Sequence, residues 1–504
     1  MATPPETLPE LLAAGDAAAP AIASVGREPL SYAALRSEVG RLACQLRAAG
    51  VERADSVAIV LPNGPEMAIA FLAVAAAAAA APLNPAYRED EFRFYTDDLR
   101  AAALITREGD GSPATRAIGE GTRHLTLAGD PGSLTLRSAA GELARADAGA
   151  PSVDDVALVL HTSGTTSRPK MVPLTHRNLV TSAGNIARSL RLEPGDRVLN
   201  VMPLFHIHGL VGALLASLHA GASVAASPGF DAFRFFDWVT ELRPTWYTAV
   251  PTMHQLILSR AGSRADAITA NPLRFLRSSS ASLPPSVMAD LESTFRAPVI
   301  EAYGMTEASH QMACNPLPPG ARKPGSVGLG TGIEVAIMDE EGALQPQGTT
   351  GEVVIRGASV TSGYVNNPEA NRTAFTEGWF RTGDQGYQDP DGYLYLTGRL
   401  KEIINRGGEK ISPREVDEVL LQHPAVDQAV AFAIPHRMLG EDIAAAVVLK
   451  AGATASDRDL KSHAAQHLAD FKVPSKVVFV DEIPKGPTGK LQRIGLAKLL
   501  GLER

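Results

Sequence analysis

Residues 162–170 read Thr162-Ser163-Gly164-Thr165-Thr166-Ser167-Arg168-Pro169-Lys170. An apolar run at 156–161 precedes them, so a buried strand is predicted to lead into a loop of small hydroxyl residues. Backbone N–H groups and hydroxyls in such a loop can surround phosphate oxygens, and Lys170 adds a positive charge. The spacing differs from that of the P-loop of nucleotide hydrolases. The stretch therefore predicts a phosphate site, with a polar surface loop as the alternative.

The pattern around this loop predicts an α/β fold. Apolar runs at 56–61, 197–202, 223–226 and 245–250 are separated by helical stretches, which is typical of stacked α/β layers with buried sheets. After about residue 325, short segments rich in Val, Ile and Gly predict antiparallel strands of a β-rich subdomain. From residue 415 helices and strands alternate on the scale of a small α+β domain. We expect a large N-terminal domain at 1–398 and a C-terminal domain at 399–504.

Composition excludes several classes of protein. The 504 residues carry a net charge of −8, which disfavours general nucleic-acid binding. Two cysteines, Cys44 and Cys314, are too few for a disulfide framework or a cysteine-rich metal site, so a reducing, cytoplasmic location is expected. The alanine-rich stretch 67–83 predicts a buried helix rather than a membrane span. The N-terminus does not resemble a signal peptide. The oligomeric state is not indicated.

Five further motifs follow the phosphate loop in order: Pro203-Leu204-Phe205-His206, Tyr303-Gly304-Met305-Thr306-Glu307, Thr382-Gly383-Asp384, Gly398-Arg399-Leu400-Lys401-Glu402 and Pro484-Lys485-Gly486-Pro487-Thr488-Gly489-Lys490. Together they resemble the signatures of the adenylate-forming superfamily, which includes acyl-CoA synthetases, luciferases and peptide-synthetase adenylation domains. The resemblance implies that a carboxylic acid is activated as an acyl-adenylate and passed to a thiol. Its implied cofactors are ATP, Mg²⁺ and coenzyme A, and it implies a mobile C-terminal domain.

The resemblance also assigns residues to roles. It places the nucleotide at Thr162, Ser163, Gly164, Thr165, Thr166, Lys170, Ala302, Tyr303, Gly304, Asp384 and Arg399. Catalytic roles fall to Thr306, Glu307, His206 and Lys490, and Glu307 is the implied Mg²⁺ ligand. A lysine such as Lys490 can bridge the attacking carboxylate and the α-phosphate, which stabilises charge in the transition state. The implied hinge is Lys401, and Gly408 is the implied point where the thiol's pantetheine chain approaches.

The acid pocket is predicted to be polar. It is expected to be lined by the segments 206–209, 246–254 and 277–282, and its candidate residues are His206, His208, Ser280, Ala281, Ser282 and Thr306. Serines and histidines suit a short acid with a second polar end, whereas serines that face the backbone are the alternative. Longer stretches, among them 246–252, 277–283, 301–318 and 405–413, resemble oxalate–CoA ligases, so oxalate is the expected acid. Malonyl-CoA and other short-chain synthetases, a carrier-protein-loading enzyme and a non-catalytic nucleotide-binding protein remain alternatives.

One residue departs from the superfamily pattern. The phosphate loop usually continues Pro-Lys-Gly, but Met171 follows Lys170 here. Methionine does not adopt the left-handed conformations of glycine cheaply, so we expect Met171 to restrict the movement of the loop.

Overall fold

The computed structural model describes residues 4–162, 169–484 and 493–502. The α-helices there are α1 (Leu8–Leu11), α2 (Tyr32–Ala48), α3 (Pro65–Ala77), α4 (Glu89–Leu99), α5 (Ala114–Ala117), α6 (His176–Ser189), α7 (Ala216–His219), α8 (Phe235–Leu242), α9 (Pro251–Ala261), α10 (Ala265–Ala270), α11 (Pro285–Phe295), α12 (Pro368–Ala374), α13 (Pro413–Leu421), α14 (Asp457–His467) and α15 (Leu496–Leu499). A π-helix spans His208–Leu215. Short 3₁₀ turns occupy Leu12–Ala14, Gly262–Arg264, Thr306–Ala308, Leu400–Glu402 and Asp470–Lys472.

The strands are β1 (Pro20–Ala23), β2 (Leu30–Ser31), β3 (Ser56–Val60), β4 (Ala79–Pro82), β5 (Ala103–Arg107), β6 (Arg123–Ala128), β7 (Thr135–Ser138), β8 (Gly141–Glu142), β9 (Val156–Thr162), β10 (Lys170–Thr175), β11 (Arg197–Asn200), β12 (Ser223–Ala226), β13 (Trp246–Ala249), β14 (Phe275–Ser279), β15 (Val299–Met305), β16 (His310–Cys314), β17 (Leu329–Gly330), β18 (Glu334–Met338), β19 (Leu344–Gln345), β20 (Gly351–Arg356), β21 (Phe375–Thr376), β22 (Trp379–Gln388), β23 (Leu394–Arg399), β24 (Ile404–Arg406), β25 (Glu409–Ile411), β26 (Val426–His436), β27 (Gly440–Leu449) and β28 (Lys476–Phe479). The apolar runs predicted as strands are β3, β9, β11, β12 and β13.

Two large sheets organise the first 330 residues. One has the order β17-β16-β15-β14-β13-β11-β12-β1-β2, and the strands from β15 to β1 in that order are parallel. The other has the order β10-β9-β4-β3-β5-β6-β7-β8, with a parallel centre from β9 to β6. Antiparallel strands close both sheets at their edges. Ligands of open α/β sheets bind at the carboxyl ends of parallel strands. A binding site is therefore expected at the carboxyl ends of β13, β14 and β15.

The alanine-rich stretch 67–83 is buried throughout, but it is not one helix. Helix α3 ends at Ala77, Ala78 is extended, and the four residues after it form β4 between β3 and β9. Alanine favours a helix intrinsically, yet strand partners on both sides satisfy the backbone of β4 and outweigh that preference. The predicted helix is therefore wrong in its last part. Within the described residues, the model has no helix of the length and apolarity that crossing a bilayer requires.

Two smaller sheets complete the fold. One has the order β19-β18-β20-β22-β21, with β23 also paired to β22, and the other has the order β25-β24-β27-β26, with β28 paired to β27. The chain divides into two compact units, Met1–Val335 with Ile355–Phe380, and Ala336–Val354 with Arg381–Arg504. The layered α/β fold with a β-rich part and a small α+β part matches the prediction. The boundary predicted at 398–399 stays a prediction.

Candidate active site

Strand pairing brings together the two ends of the predicted phosphate loop. Strand β9 ends at Thr162 and β10 begins at Lys170, and these two residues face each other in the antiparallel ladder. The Lys170 ammonium lies 4.5 Å from the centre of the Tyr364 ring. A cation over an aromatic face is attracted to the ring, so Tyr364 helps to place this charge. The other loop candidates lie outside the described residues: Ser163, Gly164, Thr165 and Thr166.

Met171 lies on β10, not in the loop. It pairs with His161 across the ladder, and its carbonyl oxygen accepts a hydrogen bond from the N–H of Val365 at 3.0 Å. Its side chain is buried in an apolar cluster with Leu83 and Val159. A strand requires no left-handed conformation, so the conformational reason for expecting Met171 to restrict the loop does not apply, and its effect on loop movement stays a prediction. Methionine fills a core position there.

The carboxyl end of β15 carries Ala302, Tyr303 and Gly304. Ala302 and Tyr303 are buried, and the carbonyl oxygen of Ala302 accepts a hydrogen bond from the Ser279 hydroxyl of β14 at 2.8 Å. A Cβ atom on Gly304 would lie 1.8 Å from the carbonyl oxygen of His310 on β16. No residue with a side chain fits at that distance, so Gly304 permits the close approach of the two strands.

Thr306 and Glu307 begin the 3₁₀ turn after β15. Glu307 is only 6% exposed, and its Oε1 accepts a hydrogen bond from the Tyr364 hydroxyl at 3.0 Å. Its carbonyl oxygen accepts the N–H of Thr361 at 2.7 Å. Tyr364 therefore contacts both Lys170, the predicted phosphate lysine, and Glu307, the predicted metal ligand.

The carboxylate of Glu307 suits Mg²⁺ bound together with a phosphate-bearing ligand. Magnesium is usually held by one or two carboxylates plus phosphate oxygens and water, not by a cage made only of protein ligands. The part of the chain that the structure describes contains no cluster of three or more His, Cys, Asp or Glu side chains able to hold a metal.

A polar cluster with His208 at its centre is buried near the 3₁₀ turn Thr306–Ala308. His208 is the first residue of the π-helix, a rare form that is often found at functional sites. Its Nδ1 lies 3.1 Å from the Ser280 hydroxyl oxygen, and its Nε2 lies 2.6 Å from the Thr248 hydroxyl oxygen. Strands β13 and β14 deliver both hydroxyls, because Thr248 lies on β13 and Ser280 directly follows β14. The arrangement presents small polar groups at the carboxyl ends of parallel strands.

Arg277 lies behind this histidine and is completely buried. Its Nη1 lies 3.2 Å from Nε2 of His208, and its Nη2 lies 3.1 Å from Nε2 of His310 and 2.8 Å from Oε1 of Gln311. The two histidine rings stack with their centres 4.9 Å apart. Burial lowers the pKa of Arg277 to about 10, so the guanidinium stays charged at neutral pH. Burial also raises the pKa of the neighbouring Cys314 thiol to about 11, so that group is neutral.

The remaining acid-pocket candidates lie at or near the surface. His206 is half-buried, with its ring centre 4.7 Å from that of Phe205. Ala281 and Ser282 are exposed. Of the predicted pocket residues, His208 and Ser280 are in direct contact.

The predicted ribose carboxylate belongs to the second compact unit. Asp384 on β22 faces Arg399 on β23, and Oδ1 of Asp384 lies 2.9 Å from Nε of Arg399. Asp384 is buried and Arg399 is about half exposed, so solvent reaches the guanidinium of this ion pair more readily than the carboxylate. Lys401 follows in the 3₁₀ turn Leu400–Glu402, at the position predicted for the hinge.

Gly408 lies in the turn between β24 and β25 with a φ of +97°. A Cβ atom there would meet nothing within 4 Å, so open space surrounds the residue. The left-handed conformation requires glycine locally, and the open space leaves room for a ligand to approach. Lys490, the predicted catalytic lysine, lies outside the described residues.

Five residues of the site were not singled out in the sequence: Thr248, Arg277, His310, Gln311 and Tyr364. The segments that carry Thr248 and Arg277 were expected to line the pocket, but neither residue was singled out. One signal was present, because Arg277 interrupts an apolar strand after Phe275 and Leu276. A charged residue at such a position is almost never fully buried unless it has partners.

Comparisons with known proteins agree with this geometry. Residues 12–365 match the family model described as AMP-binding enzyme, and residues 415–490 match the AMP-binding enzyme C-terminal domain. An oxalate–CoA ligase of Arabidopsis thaliana is 49% identical over 484 residues, which are 94% of each chain. An oxalate–CoA ligase of Saccharomyces cerevisiae is 45% identical over 480 residues, covering 89% of this chain and 87% of that one. The ATP-bound crystal structure of MatB from Rhodopseudomonas palustris superimposes with a TM-score of 0.88 at 30% identity, covering 99% of this chain and 98% of that one.

Proposed function

Because the chain belongs to the family of AMP-binding enzymes, we propose that it is an ATP-dependent acid–CoA ligase whose preferred acid is oxalate. This membership confirms the resemblance that the sequence motifs predicted, and with it the class of AMP-forming ligase. The reaction has two steps. A carboxylate oxygen attacks the α-phosphate of ATP and pyrophosphate leaves; the thiol of CoA then attacks the acyl carbon, loses its proton, and AMP leaves.

One observation carries the choice of acid: the buried polar cluster at the carboxyl ends of β13 and β14. His208, Ser280 and Arg277 supply hydrogen-bond donors and positive charge where a fatty-acid site would be lined by apolar groups. Oxalate has a second carboxylate, which needs such partners when it leaves water. An apolar chain would leave the donors unpaired, and sites built on hydrogen bonds discriminate strongly against such ligands. The extensive identity to oxalate–CoA ligases supports the same acid.

The nucleotide is proposed to bind along the carboxyl end of β15, with Tyr303 beside the adenine and Thr306 at the phosphates. Glu307 would hold Mg²⁺ together with phosphate oxygens, and the ion would offset phosphate charge. Tyr364 orients the Glu307 carboxylate through its hydroxyl and places the Lys170 ammonium against its ring. Asp384 would accept hydrogen bonds from the ribose hydroxyls. Roles for Lys490 and for the 163–166 part of the phosphate loop are proposed from the motifs alone.

A cytoplasmic location belongs to the same proposal. Both cysteines are free thiols, which agrees with a reducing compartment. Cell fractionation with an antibody to the chain tests the location, and recovery in an oxidising compartment would contradict it.

The function is tested by AMP release from a panel of acids with ATP and CoA. We expect oxalate to have the highest kcat/KM, malonate a lower one, and acetate and octanoate almost none. A preference for octanoate or acetate would contradict the acid assignment. Loading of a purified acyl-carrier protein in place of CoA would contradict the thiol assignment instead.

A further inference from the structure

Arg277 carries a positive charge that no acidic side chain in the described part of the chain balances. It lies on β14 in the interior of the nine-stranded sheet and is 0% exposed. Every side chain that accepts from its two Nη atoms is neutral: His208, Thr248, His310 and Gln311. Among the described residues, no Asp or Glu forms an ion pair with it. An unpaired buried charge is costly, so its presence requires an explanation.

The carboxylate on the neighbouring strand does not supply that balance. Glu301 of β15 pairs with Ser278 in the parallel ladder, whereas Arg277 pairs with Ile300. Paired residues of adjacent strands share a face of the sheet, and successive residues alternate between faces. Glu301 therefore points to the opposite face from Arg277. The face that carries Arg277 also carries Thr248, its partner on β13.

The guanidinium also determines which nitrogen of each histidine carries the proton. Arginine has no acceptor atom, so a ring nitrogen that it contacts must accept. Nε2 of His208 and Nε2 of His310 both lie within 3.2 Å of an Nη atom. Both rings are thereby assigned as neutral imidazoles with the proton on Nδ1.

This tautomer sets the direction of the next hydrogen bond. Nδ1–H of His208 donates to the Ser280 hydroxyl oxygen at 3.1 Å. Having accepted that bond, the Ser280 hydroxyl directs its own proton toward another acceptor. A chain of donors thus runs from Arg277 through His208 to Ser280, and each bond polarises the next.

We propose that Arg277 is a specificity-determining positioning residue: it supplies the countercharge for the second carboxylate of a small dicarboxylate and, through His208, orients the Ser280 hydroxyl donor toward it. The inference rests on the proposed function, because the acid must have a second anionic end. A monocarboxylate would leave the buried charge unbalanced. The cluster therefore selects for acid charge as well as for acid size.

Three variants test this role. Arg277→Met removes the charge and keeps an unbranched side chain of the same width up to the fourth atom. Gln311→Glu places a carboxylate beside Nη2, and so balances the charge while leaving the arginine in place. Arg197→Met is the matched control, because Arg197 is a partly buried arginine of β11 in the same sheet, bonded to the Ser223 hydroxyl and the Leu242 carbonyl. Each variant is assayed for KM and kcat with oxalate and with ATP.

We expect Arg277→Met to raise the KM for oxalate by about 10²-fold, the scale of losing one partner of a buried charge interaction. Gln311→Glu should raise the same KM, and the KM for ATP should stay within about twofold in both variants. Arg197→Met should leave the ratio of the two KM values unchanged. Nitrogen NMR of protein with labelled histidines gives a second readout: two rings protonated at Nδ1 in the wild type, and a mixed tautomer population in Arg277→Met.

Several results would overturn the inference. Unchanged KM for oxalate in Gln311→Glu would show that the charge of Arg277 is not used, even if Arg277→Met fails to fold. Equal losses for oxalate and ATP would indicate a purely structural role. A wild-type spectrum without Nδ1-protonated rings would refute the tautomer assignment. Wild-type protein that does not turn over oxalate would instead refute the proposed function. The NMR spectra would still test the tautomers of His208 and His310, because they do not depend on activity.

Discussion

Ser280 combines an unusual backbone with a useful hydroxyl. Its φ is +72°, in the left-handed region that serine occupies at a cost. Glycine would adopt that conformation more easily, as it does at many turns. The hydroxyl contact with His208 accounts for a serine at this position.

Two substitutions separate the hydroxyl from the backbone at position 280. Ser280→Ala should lower kcat/KM for oxalate about 5- to 150-fold, which corresponds to about 1–3 kcal/mol for an unpaired buried group. The KM for ATP should not change. Ser280→Gly relieves the strained φ yet also lacks the hydroxyl, so its loss should be as large. Full activity in Ser280→Gly would mean that the residue serves only the turn.

At this scale the sequence reveals segments but not partners. The hydroxyl-rich stretch 277–282 suggested a polar pocket, and Ser280 does contact His208. Thr248 and Gln311 lie 29 and 34 residues from Arg277, and only the order of the strands in the sheet, which includes the antiparallel β16, brings them to it. No local pattern encodes that order. Tyr364 was missed for the same reason, since it lies 57 residues beyond Glu307.

Among the elements, the π-helix 208–215 depends on one small residue. A Cβ atom on Gly212 would lie 2.5 Å from Cδ2 and Nε2 of the His310 ring and 3.2 Å from Cδ2 of His208. The stacked histidines therefore occupy space that any side chain at position 212 would take. Because the ring of His310 is also held by Arg277, it has little freedom to move aside.

Gly212→Ala should displace His310 and impair the acid site. Overpacking should lower the free energy of unfolding by about 1–3 kcal/mol. Because the displaced ring contacts Arg277, we also expect kcat/KM for oxalate to fall by about tenfold or more. Gly195→Ala is the matched control, since Gly195 is exposed and a Cβ there meets nothing within 4 Å. Unchanged kinetics in Gly212→Ala would show that the two rings are not part of the acid site.

Strand β10 gives Met171 a role in stability. Met171→Gly removes a buried side chain from a packed cluster, which costs about 2–5 kcal/mol, and should lower the melting temperature. The KM for ATP should change little. Met438→Gly is the control, because Met438 is 86% exposed and its replacement should have almost no effect. An altered KM for ATP with an unchanged melting temperature would support the view that Met171 governs the phosphate loop.

Sequence patterns predicted strands better where the residues themselves favour a strand over a helix. Runs with several β-branched or aromatic residues, such as 56–61 and 245–250, were recognised as strands. The alanines of β4 were not, because alanine carries no local signal for a strand and its state depends on β3 and β9. The π-helix was not predicted either, since an apolar stretch such as 209–215 fits an ordinary helix equally well.

For the molecule as a whole, two substitutions should separate the two half-reactions. Lys490→Ala is expected to abolish formation of the acyl-adenylate while sparing thioester formation from a supplied acyl-adenylate. Gly408→Leu should do the reverse, because a branched side chain at φ +97° is strained and fills the open space around that turn. Pyrophosphate exchange measures the first half-reaction, and thioester release measures the second.

The pattern across both variants decides the outcome. Equal loss of both half-reactions in Lys490→Ala would show a structural or shared role for that lysine. Normal CoA turnover in Gly408→Leu would remove Gly408 from the path of the thiol.

The two compact units alternate along the chain, and this order affects how they can fold during synthesis. The segment 336–354 is made before 355–380 but belongs with 381–504. At about 5–20 residues per second, synthesis of 381–504 takes roughly 6–25 s. During that time most of the unit that contains Val353 and Val354 has not yet been synthesised. These two apolar residues, which are buried in the finished protein, are therefore not yet covered by it. Nascent chains paused in this interval should therefore be the form that chaperones bind and that aggregates when expression is fast.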